Sequence, residues 1–287
     1  MKTAVSAYSY EGYIREGKMT QLSCVAKAAE MGFSAIEFTD MKAPTLDEQK
    51  KLAESIRKEA ERVGIEVIAY TIGGCLYKGS REEDLAEIER LKNQLDVAKL
   101  LGAPLMRHDV CYTLTKTGRG RSFDLMLPTI AENARAVTEY AATLGIRTCT
   151  ENHGRIAQDS DRVERLFNAV AHDNYGLLID IGNFMGVDED PARAVSRLAP
   201  YAFHVHAKDF TRREDALGVG VHTTRAGTYI APAVIGEGVV PVKRCLSILK
   251  AAGYEGYVSV EFEGREDCIN AIDRGHTNLK KFIESLA

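Results

Sequence analysis

The chain has 287 residues, 45% apolar and 27% charged, with 37 Lys and Arg against 41 Asp and Glu for a formal net charge of −4. Such a composition excludes a fibrous or disordered chain, and no run approaches the roughly 18 uninterrupted apolar residues of a membrane span. The mildly acidic balance offers no field for a phosphate backbone, so neither nucleic acid nor a membrane is an expected partner and a small neutral or weakly charged molecule is.

The six cysteines, Cys24, Cys75, Cys111, Cys149, Cys245 and Cys268, form no C-x-x-C pair and so fit neither a zinc ribbon nor a redox motif. The opening MKTAVSAYSYEGYIREG lacks the apolar stretch of an export signal, which makes a reducing cytoplasm the expected setting.

From the first strand, VSAYSY, onward the chain repeats one unit: an amphipathic, charge-laced segment, a glycine, then a short apolar or β-branched run. The instances are KAAEMG-FSAIEF at Gly32, AERVG-IEVIAY at Gly64, AKLLG-APLMRH at Gly102, ATLG-IRTCTE at Gly145 and KAAGYEG-YVSVEF at Gly253. Glycine just past a helix end closes it in the left-handed conformation, so each instance reads as helix, cap, strand. The caps stand far enough apart for one strand, loop and helix each. Between Gly145 and Gly253, YGLLID and YAFHVHAKD add two strands around a helix opened by Pro191.

Strands are thus expected to begin near residues 3, 34, 66, 104, 147, 176, 202 and 257, each followed by a helix, the last over about Asp267 to Leu286. Eight alternating units predict an α/β fold, a single (β/α)8 TIM barrel spanning 1–287, rather than a doubly wound sheet, for which no G-x-G-x-x-G follows the first strand. Long loops are expected at about 111–122 and 211–241, on the face where barrels carry their chemistry.

Period-two alternation divides each strand into inward and outward sets. In AFHVHAKD, Phe203, Val205 and Ala207 are assigned outward and His204, His206 and Lys208 inward. In YVSVEFEG, Val258, Val260 and Phe262 point out and Ser259, Glu261 and Glu263 point in. IRTCTENH sends Cys149, Glu151 and His153 inward, and GLLID ends its inward row at Asp180. Four strand ends thereby converge with Glu151, Asp180, His206 and Glu261. Burying three carboxylates together is prohibitive unless a cation sits among them. One divalent metal is expected, the oxygen-rich set with one imidazole suiting Mn²⁺ first or Mg²⁺, with Co²⁺, Fe²⁺ and Zn²⁺ able to occupy it.

Further candidates lie around this set. His108 in LMRHDV is within reach of a substrate or braces a loop, Tyr8 and Tyr10 offer an aromatic wall, and His204, deeper than His206, reads as a core residue. Arg119 and Arg121 suggest a phosphate clamp or a solvated loop. The long insertion carries His222, Arg225 and Tyr229 and reads as a lid, an interface arm or a substrate clamp, with Arg225 the candidate substrate contact.

The segments TENHG, LLIDIGNF, AFHVHAKDF and VSVEFEG resemble the metal-binding strand ends of the xylose isomerase-like barrel superfamily, in its sugar isomerase/epimerase branch. The resemblance spans nearly the whole chain. It implies one divalent cation held by Glu151, Asp180, His206 and Glu261, and proton exchange beside a sugar carbonyl by Glu151 and Glu261. Glu37 matches the usual place of a substrate-contacting acid, and Asn183 stands where many relatives carry histidine. His206, Lys208 and Asp209 resemble the H-x-K-D run of inosose enzymes, with Lys208 near substrate oxygens. Relatives are often dimers or tetramers, so a homo-oligomer is expected.

His153 departs from the plain epimerases. The E-N-H arrangement is similar to that of the metal-dependent subunit of C-glycoside deglycosidases, which would imply a small partner subunit. Two readings follow for a keto-sugar or related polyol: metal-assisted isomerisation or epimerisation, or a lyase in which the same enolate expels a β-substituent with His153 as base or acid. A DNA-cutting relative with three zinc ions needs more histidines than the seven present.

Overall fold

The computed structural model describes residues 1–114, 118–218 and 220–286, with Arg119 described in its backbone only. Eight parallel strands close into a barrel: β1 (Lys2–Ser6), β2 (Ala35–Thr39), β3 (Glu66–Ile72), β4 (Leu105–His108), β5 (Arg147–Glu151), β6 (Tyr175–Asp180), β7 (Ala202–Ala207) and β11 (Tyr257–Val260). The ring closes where β1 pairs with β11 on one side and β2 on the other. Between β7 and β11 the chain builds a separate antiparallel sheet, ordered β8 (Asp209–Arg213), β10 (Tyr229–Ala233), β9 (His222–Thr223).

Helices follow each barrel strand: α1 (Glu11–Arg15) and α2 (Gln21–Glu30), then α3 (Leu46–Val63), α4 (Arg81–Leu101), α5 (Phe123–Thr143), α6 (Ser160–Val170), α7 (Pro191–Leu198), α8 (Val242–Ala251) and α9 (Cys268–Glu284). All five glycines read as caps adopt positive φ. At the other ends Thr20, Thr45, Ser80, Asp159, Asp190 and Asp267 accept a backbone N–H from the first turn. No helix among the described residues is long and apolar enough to cross a membrane.

Outward strand residues such as Val5, Ile36, Ile72, Ile179, Val205 and Val260 share one buried cluster with the helices' apolar faces. Each such side chain contributes ~1.5–3 kcal/mol by leaving water. Inside, the barrel is filled in layers. The floor holds Ala4, Ala35 and Ile68 with Tyr257, and Ala69, Leu105, Cys149 and Leu178 with Phe203. One turn of the alternation higher stand Glu37, His204 and Ser259, and above them the acids of the strand ends.

Phe203 was expected to face the helices and does not. The pairing of β6 with β7 slips between Leu177 and Leu178, so that Leu177 meets Ala202 and Leu178 meets His204. That bulge leaves Phe203 as the extra residue, turned into the barrel floor with the Arg147 guanidinium over its ring, 4.5 Å from the centroid.

The segment read as a long loop at 211–241 contains the three-stranded sheet. Pro232 has no backbone N–H to give to a ladder, and because β9 pairs only with Tyr229 and Ile230, Pro232 lies beyond its reach. The sheet is fastened at its base by the buried Asp209 carboxylate, which accepts from the backbone N–H groups of Phe210, Gly236, Gly238 and Val240 at 2.8 to 3.0 Å. A Cβ on Gly238 would stand 2.2 Å from Asp209 Oδ1, so only glycine admits this approach.

Candidate active site

The alternation carries Cys149 to Glu151 on β5, Leu178 to Asp180 on β6, His204 to His206 on β7 and Ser259 to Glu261 beyond β11. Each pair places an acid or imidazole one layer above the polar or apolar floor. One ligand atom from each of Glu151, Asp180, His206 and Glu261 lies within 4.8 Å of the others, and all four residues are buried. Asp180 is set by its local turn: its Oδ1 accepts from Gly182 N and Asn183 N at 2.8 and 2.9 Å, and a Cβ on Gly182 would press to 2.7 Å from the Lys208 carbonyl.

These four residues fit a divalent cation on the state of their own atoms. Asp180 Oδ2, His206 Nδ1 and Glu261 Oε2 accept or donate no hydrogen bond of normal geometry. Together the three carboxylates and the imidazole form an oxygen-rich donor set, two of the carboxylates and the imidazole each offering such an atom, while the oxygens of Glu151 are held by Asn183 and Arg107. Their charge is also balanced from within. Lys208 Nζ lies 2.7 Å from Glu261 Oε2, 3.1 Å from Asp180 Oδ2 and 3.1 Å from Glu263 Oε1. Burial drives Asp180 up to about 7 despite Lys208. Burial opposes the charge on Glu261 as well, but Lys208 and His206 outweigh it and hold that carboxyl well below its usual range.

Glu37 does not reach the cavity that the site opens into. It is fully buried beneath His206, with Oε1 2.6 Å from His206 Nε2 and Oε2 accepting from His204 Nε2 and Ser259 Oγ at 2.5 and 2.9 Å. The expected substrate contact is therefore a prop: it fixes the imidazole so that Nδ1 faces the acids. His204 is the satisfied core residue it was read to be.

His108 is likewise not on the cavity. It points out of the barrel beside Met106, is fully buried, and its Nδ1 meets the Asp109 carbonyl at 3.1 Å. Its neighbour Arg107 holds the inward position above Leu105 and was missed. Arg107 stands 2.6 Å from Glu151 Oε2 and 2.9 Å from Asp109 Oδ1, and donates to the Ile72 carbonyl. Burial disfavours its charge, yet Asp109 and Glu151 raise its pKa further. The signal was present, since period two from Leu105 selects Arg107 and excludes His108.

Asp109 was missed as well, and Glu263, read as inward, was given no place in the site. Asp109 Oδ1 meets His153 Nδ1 at 3.0 Å and its Oδ2 accepts from Tyr112 at 2.8 Å. Against burial, Arg107 and His153 bring the Asp109 carboxyl down to about 2, and Asp109 in turn raises His153 despite the desolvation that lowers it. The His153 side chain is 44% exposed against 5% for Asp109, so the imidazole presents its far edge to the cavity with an ionised acid behind it. Asn183 donates to Glu151 Oε1 at 2.8 Å and lies 3.3 Å from Lys208 Nζ.

Arg225 is a strut and lines no cavity of the site. Its guanidinium donates to Asp159 at 2.8 Å and to the Arg155 carbonyl at 2.5 Å, tying the added sheet to the loop after β5. Arg121 is exposed and also lies off the cavity, and the Arg119 side chain lies outside the described residues. The cavity itself, about 400 Å³, opens at the C-terminal mouth of the barrel between Tyr8, Asp40, Arg107, His153, Lys208 and Glu263, with Glu151, His206 and Glu261 at its base.

A closed eight-stranded barrel with this strand-end constellation matches the family model described as xylose isomerase-like TIM barrel over residues 25–286. The chain belongs to that family. Among curated family relatives it is similar to an inosose dehydratase of Yersinia enterocolitica, 29% identical over 144 residues, 47% of each chain. It also resembles the rhizopine catabolism protein of Rhizobium meliloti, 26% identical over 282 residues, 90% of this chain and 80% of that one. The match spans about half the length of the inosose dehydratases. A 3-keto-D-glucoside 4-epimerase from E. coli shares the fold with a TM-score of 0.71 and 16% identity, over 98% of this chain and 99% of that one.

Proposed function

We propose that this member of the family is a divalent-metal-dependent lyase that dehydrates a cyclic polyhydroxy ketone. The observation that carries the reading is the unequal state of the bases around the cavity. Glu151 has one oxygen on Asn183 and the other on Arg107, and so is poorly placed to trade protons with a substrate. His153 has its outer nitrogen facing the cavity and an ionised carboxylate at its back, the arrangement that suits a proton acceptor near neutrality.

The ketone is expected to lie over Glu151, Asp180, His206 and Glu261, which would hold the cation, Mn²⁺ before Mg²⁺. A cation bound there supplies Lewis-acid polarisation of the ketone and charge for an enolate. His153 takes the proton from the carbon beside the carbonyl. The electron pair forms the carbon–carbon double bond as the hydroxyl on the next carbon leaves, and that hydroxyl departs as water with a proton returned from His153. Lys208, already among the acids, offers its ammonium to substrate oxygens in the cavity, and Asn183 fixes Glu151. The inosose dehydratases among the relatives support the choice of reaction.

A second reading, isomerisation or epimerisation, draws on the fact that Glu151 and Glu261 reach the same cavity from β5 and β11. Incubation of a keto-inositol with the Mn²⁺-supplemented protein in D₂O, followed by NMR, separates the two. Loss of water with an enone product is expected. Deuterium uptake into an intact or inverted skeleton would discard dehydration in favour of the second reading.

A further inference from the structure

Lys208 Nζ touches three carboxylates, yet its hydrogen bonds and its ion pairs point to different ones. It donates to Glu263 Oε1 at 3.1 Å and to Asn183 Oδ1 at 3.3 Å. Its contacts with Glu261 Oε2, at 2.7 Å, and Asp180 Oδ2, at 3.1 Å, are ion pairs in which neither oxygen takes a hydrogen bond of normal geometry. Those two oxygens, with His206 Nδ1, are the atoms left for a cation among the four converging residues. The ammonium thus lends charge to atoms that its hydrogen bonds do not hold.

The backbone that carries Lys208 is fixed on both sides. Ile181 N donates to the His206 carbonyl at 3.0 Å and Glu261 N to that of Ala207 at 3.1 Å, while the Asp209 carboxylate holds four backbone N–H groups. What can move is the side chain, an ammonium on a flexible four-carbon stem. Glu263 gives it a place to go: 24% exposed, against 0% for Asp180 and 10% for Glu261, it stands on the wall of the cavity, within reach of water. The charges also close. With Arg107 beside Glu151, the carboxylates of Asp180, Glu261 and Glu263 carry three negative charges, which one ammonium and one divalent cation balance.

We propose that Lys208 is a tethered counter-ion that competes with the divalent cation for Asp180 Oδ2 and Glu261 Oε2, and that its ammonium withdraws along Glu263 when the cation binds. Lys208 and Glu263 together then set how tightly the cation is held. This rests on the cation position proposed above, and not on the reaction assigned to it. Two cations that share oxygens oppose one another through a coupling free energy, which between linked sites typically amounts to ~5–150-fold in affinity. The ammonium also offsets the mutual repulsion of the buried acids, so that they stay gathered for loading.

The test is Mn²⁺ binding by calorimetry to the unmodified protein, Lys208→Met, Glu263→Gln and the double variant, with thermal unfolding of each in EDTA and in saturating Mn²⁺. Lys208→Met keeps an unbranched side chain without its charge, and is expected to bind Mn²⁺ about tenfold or more tightly. Its Tm is expected to fall in EDTA and to return nearly to the unmodified value in Mn²⁺, a pattern that a role in packing alone does not give. Glu263→Gln removes the ammonium's retreat and is expected to weaken Mn²⁺ binding about fivefold, but by less than about twofold when added to Lys208→Met. Should Lys208→Met fail to fold, Lys208→Gln is measured in its place against the same expectations. Affinity that is unchanged or weaker without the lysine overturns the competition, as does a loss of Tm that is equal in EDTA and in Mn²⁺. An equal effect of Glu263→Gln with and without Lys208 overturns the withdrawal onto Glu263. Absence of Mn²⁺ binding to all four proteins removes the cation position and the proposal with it, whereas Mn²⁺ binding that ignores Lys208 removes the proposal alone.

Discussion

Arg107 stands between Glu151 and Asp109, 2.6 Å from one carboxylate and 2.9 Å from the other, and is the cation that lets two buried acids share one wall of the barrel. Removing one member of such a buried group leaves charge without compensation, which costs ~3–5 kcal/mol. Arg107→Leu is therefore expected to lower stability by that amount in urea unfolding, and a loss under about 1 kcal/mol would show that the acids are balanced elsewhere.

The same guanidinium links the acid-rich site to the Asp109–His153 pair. Asp109→Asn keeps the shape but removes the charge behind the imidazole, and is expected to reduce turnover of a keto-inositol about 100-fold with a smaller change in KM. His153→Gln is expected to lose at least as much. Unchanged kcat in both variants would remove His153 from the chemistry.

Metal binding is expected to appear as stability. Mn²⁺ at about 100 times its Kd should add ~2.7 kcal/mol to the folded state and raise Tm, and EDTA should reverse the gain. Glu261→Gln and Asp180→Asn each delete a donor, so both should fold and show little or no Mn²⁺-dependent shift. A full shift in either variant would place the cation elsewhere.

His276 on α9 makes stability depend on pH far from the cavity. Its ring stacks on Phe33 with centroids 3.7 Å apart, its Nε2 meets Thr3 Oγ1, and burial, with Lys280 nearby, pushes the imidazole down to about 4. Above the unfolded value of about 6.5 both states are neutral and nothing changes. Between about 6.5 and about 4 the unfolded chain binds a proton that the folded one refuses, so stability falls with pH by roughly 3 kcal/mol in all and then levels. Denaturant midpoints at about pH 7.5 and about pH 4.5 check this, and His276→Gln should flatten that part of the profile. An equal slope in the variant would assign the loss to other groups.

Asp209 gives the added sheet its footing. Asp209→Ala leaves four backbone N–H groups without their acceptor and is expected to cost several kcal/mol locally, about 1–3 for each group that finds no water. Trypsin should then cut faster at the exposed Arg212 and Arg213, while the barrel helices remain protected. Cleavage at the unmodified rate would mean that Asp209 does not hold the sheet.

Legibility differed among the residues for physical reasons. The helix-capping glycines and the alternation of YVSVEFEG are local, so strand starts fell within a residue or so of the observed ones, at 35, 66, 105, 147, 175, 202 and 257. Glu37 had the correct inward face but the wrong depth, because how deep a residue lies depends on how neighbouring strands stagger, and that is not written along one strand. Phe203 failed at a bulge that exists only between β6 and β7. Arg107 was readable, and the histidine beside it drew the assignment away.

Sequence by itself determined the eight βα units, the closed barrel they imply, and the meeting of Glu151, Asp180, His206 and Glu261 at the strand ends, since caps and two-residue periodicity act over a few neighbouring residues. Tertiary structure decided which residues support that group and what stands over it: Glu37 under His206, Arg107 between two acids, Asp109 behind His153, and a small sheet fastened across the mouth. Those relations join positions tens to hundreds of residues apart, where only the closure of the barrel brings the charges within range of one another.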